Sequence, residues 1–127
     1  MFKLSIQGRH FLAGVAGFLV VLVLATPLRG GQKDTPSTMV SLAPQEVKEV
    51  CLDMAARDEI HFKFKSDHPV AFNIHYHDSP TVQFPVQLNK VTEISENFFA
   101  KVSQSYCLMW TNKTPMRTRL FYQVDGP

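Results

Sequence analysis

A chain of 127 residues has room for one domain, and setting aside an N-terminal hydrophobic segment leaves about a hundred, enough for a single core. Lys and Arg outnumber Asp and Glu by 13 to 11, but Lys3, Arg9 and Arg29 flank the hydrophobic stretch, so the remainder is close to neutral. Such a domain lacks the clustered basic surface that neutralising phosphates requires, which excludes nucleic acid as a partner.

The uncharged run from Phe11 to Ala25 follows a polar, basic leader containing Lys3, Arg9 and His10, the pattern of an export signal. As a helix the span from Phe11 to Leu28 would rise about 27 Å, against a bilayer core of about 30 Å. Residues 1–28 are therefore expected to be a signal peptide or a signal anchor, with Val23-Leu24-Ala25 acceptable to a peptidase and Pro27 close behind it. Through this segment the membrane becomes a partner. The basic N-terminus keeps that end in the cytoplasm and sends the domain to the periplasmic or extracytoplasmic side. Residues 29–38, rich in Gly, Pro and small polar side chains, read as a flexible tether.

From Met39 to Pro127 short apolar runs recur between turn signals about ten residues apart, the spacing of an all-β sandwich or barrel. In Glu46–Met54, Val50, Leu52 and Met54 alternate as in a strand, with a short helix running into Ala55 and Ala56 as the alternative. In Glu59–Ser66, Ile60, Phe62 and Phe64 fall on one face and His61, Lys63 and Lys65 on the other. Asp67-His68-Pro69 breaks the run, and Val70–His77 then alternates Val70, Phe72, Ile74 and Tyr76 with Ala71, Asn73, His75 and His77. Asp78-Ser79-Pro80 breaks it again. Val82, Phe84 and Val86 continue the period, but Pro85 removes a ladder donor and demotes this strand to an edge or a bulge. Val91–Phe99, the run through Tyr106, Leu108 and Trp110, and the run through Leu120, Tyr122 and Val124 complete the set. A period of two in successive runs is the signature of strands rather than helices.

The strand after Asp58-Glu59, the segment Phe72-Asn73-Ile74-His75, the Tyr-x-Leu-x-Trp-x-Asn strand from Tyr106 to Asn112 and the closing strand together resemble GOLD-like β-sandwich domains. The resemblance spans roughly residues 40–125 and is nearer to small bacterial exported proteins than to eukaryotic cargo receptors. It implies an antiparallel sandwich outside a membrane that acts as a binding module. A vesicle-cargo role is not carried over, because the coiled coil, C-terminal span and sorting tail of those receptors have no counterpart in the sequence.

Cys51 and Cys107 are the only cysteines, and an exported domain meets an oxidising compartment, so the expectation is an intramolecular disulfide; two buried thiols are the alternative. His75 and His77, two apart on a strand, project from one face. If Glu59–Ser66 and Val70–His77 pair as a hairpin, parity puts His61 on that face too, and three imidazoles would suit copper or zinc. Against the metal, Lys63 and Lys65 share the face, and His and Lys alternating with apolar residues is also the pattern of a solvated sheet surface. Phe98 and Phe99 cannot both face one core, so one is expected to be exposed as a partner contact. Asn112-Lys113-Thr114 matches a glycosylation sequon. With no Gly-x-Ser-x-Gly elbow, phosphate loop or His-Glu-x-x-His helix, the sequence points to a non-catalytic module with no cofactor.

Overall fold

The computed structural model describes residues 36–127; the expected signal or anchor segment and most of the expected tether lie outside the described residues. Six antiparallel strands follow in order: β1 (Thr38–Leu42), β2 (Val47–Met54), β3 (Glu59–Asp78), β4 (Thr81–Phe99), β5 (Gln104–Thr111) and β6 (Thr118–Asp125). The all-β expectation is met. Thr38, assigned above to the tether, opens β1 and pairs with Tyr122.

The chief correction concerns the break at Asp67-His68-Pro69. Glu59–Ser66 and Val70–His77 do not pair with one another; they are successive halves of one 20-residue strand, β3. The two runs Val82–Val86 and Val91–Phe99 likewise belong to one 19-residue strand, β4. Along its first half β3 lies between β6 and β4, with His61–Ser66 opposite Leu120–Asp125. Along its second half it lies between β5 and β4, with Ala71–His75 opposite Cys107–Thr111. The strand order β1-β6-β3-β5-β2, with β4 on the other side of β3, thus describes one sheet that curls back on itself. One layer is β1-β6-β3-β4 and the other β2-β5-β3-β4, and the β3–β4 ribbon runs through both.

The ribbon turns the corner by register shifts. Lys65 pairs with Glu93 and Val70 with Val91, so β3 carries three more residues than β4 across that step. Bulges bend strands and increase their twist, which is how one strand serves two layers. The backbone freed at the corner still needs partners. Ser66 Oγ donates to His68 O at 2.8 Å, and the buried Thr118 hydroxyl accepts the His68 N–H at 3.0 Å. On the outside, Arg119 Nε donates to Asp67 Oδ2 at 2.7 Å.

The core lies between the layers. Phe62 and Phe64 from one half of β3 meet Phe72 from the other, with ring centroids 5.3 and 5.0 Å apart. Trp110 of β5 packs against Phe64, Phe72 and Tyr122. Its Nε1 is buried with no hydrogen-bond partner among the described residues, so packing alone holds the indole. Burying each such side chain contributes roughly 1.5–3 kcal/mol. This even-numbered face of β3 is the apolar face expected from the alternation.

One buried polar side chain joins strand ends. Asn112 is fully buried: Nδ2 donates to the carbonyls of Leu42, Ala43 and Met116, and Oδ1 accepts from the N–H and hydroxyl of Thr114. The sequon asparagine is thus a latch that ties the end of β1 to the end of β5. Its amide nitrogen is fully occupied and unavailable to a glycan in the folded domain.

Candidate functional site

Two surfaces gather chemistry. The first is the seam where the curled sheet stays open. Among the described residues β4 pairs only with β3, so it is the outer strand of both layers, in keeping with the edge role expected from Pro85. Between its two arms opens a groove of about 490 Å³. Its floor is aromatic: Tyr106 touches Tyr76 at 5.0 Å and Phe98 at 5.2 Å between ring centroids. Its rim carries Phe84, Pro85, Phe99 and Lys101. Phe98 belongs to the core while Phe99 is 58% exposed, the division that two adjacent strand residues impose. Phe84 is 46% exposed on the other arm of β4. Phe84, Pro85 and Tyr76 had no visible link to Phe99 in the sequence, because only the fold of β4 brings its two ends together.

The second surface is the outer face of the β2-β5-β3 layer. Cys51 and Cys107 are direct register partners on β2 and β5, and they form the expected disulfide, with Cα atoms 4.0 Å apart. His75 is opposite Cys107 on the next strand. It is only 6% exposed although it faces away from the core. Nδ1 donates to Asn73 Oδ1 at 2.8 Å, Nε2 lies 3.2 Å from Glu49 Oε1, and the rings of His77 and Phe84 cover it at 5.4 and 5.6 Å.

The structure does not gather the three histidines. His75 and His77 are neighbours, but His61 lies in the other layer because its strand segment continues into theirs instead of folding back on them. There Nδ1 donates to Asn97 Oδ1 at 2.7 Å and Nε2 accepts a long hydrogen bond from Ser95 Oγ at 3.4 Å. Both nitrogens are satisfied, the state of a structural histidine. Lys63 and Lys65 stay with His61 and so lie away from His75. Among the described residues, the group of metal-capable side chains with ligand atoms within 4.8 Å of one another is Glu49, Cys51 and Cys107. Glu49 and Asn73 escaped the sequence reading. Parity along β2 puts Glu49 on the face of Cys51, but its reach across β5 to His75 depends on a register that no local pattern encodes.

No protein-family model matches the sequence, and no curated protein matches it. Among solved structures the chain is similar to the pre-peptidase C-terminal domain of a collagenase from Bacillus anthracis, at 14% identity over 72% of this chain and 89% of that one, with a TM-score of 0.56. It is also similar to the Yersinia pseudotuberculosis-derived mitogen, at 4% identity over 72% of this chain and 85% of that one, again with a TM-score of 0.56. At such identities the likeness establishes a small all-β, sandwich-like fold. A GOLD relationship in particular is not among these matches.

Proposed function

We propose that the chain is an exported, non-catalytic binding module, brought to the membrane by its N-terminal segment, that contacts a protein or envelope partner on the extracytoplasmic side through the seam beside β4. The observation that carries this reading is an aromatic groove bordering an open strand edge. An extended partner segment can add its backbone to β4 and place alternate side chains between Phe84 and Phe99, the logic of strand addition. The Cys51–Cys107 disulfide supports the compartment, since such bonds persist where conditions are oxidising. Fold likeness supplies a scaffold and no role of its own.

A photocrosslinking residue at Phe99, installed in cells that make the full chain, should capture one partner. The same residue at Met39, exposed on β1 at the far edge, should not. The captured component, purified, should bind the wild-type chain and lose affinity for Phe84→Ser. Equal labelling from both positions would sink the reading. Location is tested separately: a C-terminal alkaline phosphatase fusion should be active and a fluorescent-protein fusion dark.

A further inference from the structure

Cys51, Cys107 and His75 make a row across three adjacent strands, each directly opposite the next. Neighbouring strands are about 4.8 Å apart, so the three side chains project side by side from one face. Glu49, two residues before Cys51, reaches over the row: its carboxylate lies within 4.8 Å of both sulfurs and 3.2 Å from His75 Nε2.

The ring of His75 supplies a second observation. Nδ1 spends its proton on Asn73 Oδ1, an acceptor, and Nε2 faces Glu49 Oε1, another acceptor. With Nδ1 engaged by Asn73, Nε2 and the carboxylate oxygen are two ligand atoms 3.2 Å apart that call for one shared cation. His61, which has one acceptor and one donor, makes no such demand. Two sulfurs and a carboxylate oxygen lie within 4.8 Å of one another, and an imidazole pinned through its far nitrogen meets that carboxylate at 3.2 Å; these are the donor types of a tetrahedral zinc-type site.

We propose that Cys51, Cys107, His75 and Glu49 form a redox-gated site for a borderline-soft divalent cation such as zinc, closed while the sulfurs are joined and opened by a dithiol reductant. Cys51 is exposed and Cys107 buried, so the incoming thiolate attacks Sγ of Cys51. The S–S bond breaks and Cys107 leaves as a thiolate beside His75. The second thiol of the reductant, after losing its proton, attacks its own sulfur in the mixed disulfide and frees Cys51. The reductant departs as a disulfide, and two electrons have passed to the protein. The cation then binds two thiolates, displacing any thiol protons, together with Nε2 of the neutral ring and an oxygen of Glu49. Cα atoms 4.0 Å apart keep the separated sulfurs within reach of one ion.

The test uses the full chain, reduced with a dithiol that is then removed under inert gas, and titrated with cobalt(II) as a spectroscopic probe. The reduced protein should take up one ion per chain with a thiolate-to-cobalt charge-transfer band that zinc abolishes, and the oxidised protein should show none. The Cys51→Ser/Cys107→Ser double variant should lose the band. His75→Ala, or His75→Gln if the first variant folds poorly, should keep the sulfurs but bind at least about tenfold more weakly. No band in the reduced chain, unchanged affinity in both His75 variants, or loss of the β-sheet circular dichroism on reduction would each overturn the proposal.

Discussion

Cys51 and Cys107 stand opposite one another on β2 and β5, and among the described residues β2 pairs with β5 alone. The disulfide therefore rivets an edge strand that is otherwise held by one ladder.

Replacing both cysteines by alanine should lower the unfolding free energy by up to about 4 kcal/mol, the chain-entropy value for a closed loop of this size. The amides of Val47–Met54 should lose hydrogen-exchange protection well before those of β3. Uniform loss across both strands would contradict the edge-rivet account.

Asn112 gives a sharper sign. Asn112→Ala strands the carbonyls of Leu42, Ala43 and Met116 and two Thr114 donors and should cost about 3 kcal/mol in chemical denaturation. Asn112→Asp should be worse at neutral pH, because a carboxylate would face three carbonyl oxygens. Equal stability of the two variants would refute the latch.

Two turns share one construction. Gln45 and Arg57 have φ of 65° and 79°, and in each turn the next residue's carboxylate, Glu46 or Asp58, accepts the N–H of Ala43 or Ala55. Glycine removes the Cβ penalty at such angles but raises chain entropy. Gln45→Gly and Arg57→Gly should each stabilise by about 0.5–1 kcal/mol, whereas Glu46→Gly and Asp58→Gly should destabilise. Thermal melts of the four variants decide it.

The Arg119 guanidinium, through its hydrogen bond and charge, holds the Asp67 carboxyl below the ordinary carboxylate value. A depressed carboxyl stabilises the fold above its unfolded pKa of about 4, and that contribution disappears as pH falls through the folded value. The gap in unfolding midpoint between wild type and Asp67→Asn should therefore be widest near neutrality and close as pH drops below about 4. Because both side chains are exposed, high salt should shrink it. A gap that widens in acid would contradict this assignment.

Phe98 and Phe99 separate stability from binding. Phe98→Ala should cost about 3 kcal/mol, the usual penalty for emptying a core aromatic site. Phe99→Ala should change stability by no more than about 0.5 kcal/mol while weakening partner capture. Denaturation curves read beside each variant's affinity for the purified partner distinguish the two.

Alternation made the strands and the apolar face legible: Ile60, Phe62, Phe64, Phe72 and Ile74 could be assigned to the core before any coordinates. The corner could not. Asp67-His68-Pro69 has the composition of a turn, and what keeps it within one strand is Thr118, fifty residues downstream, taking up the His68 N–H. The same limit applies to His75, whose partner Glu49 lies across an intervening strand. Long-range registers of this sort leave no periodic trace, so the disulfide could be inferred from two cysteines while the cluster around it could not.

A ribbon that belongs to both leaves of the fold has a mechanical corollary. Neither leaf can detach without dragging the other open, so disruption anywhere along Glu59–Phe99 should spread through the whole domain in one concerted event. The deepest amides of that ribbon should then exchange with solvent only when the entire molecule comes undone.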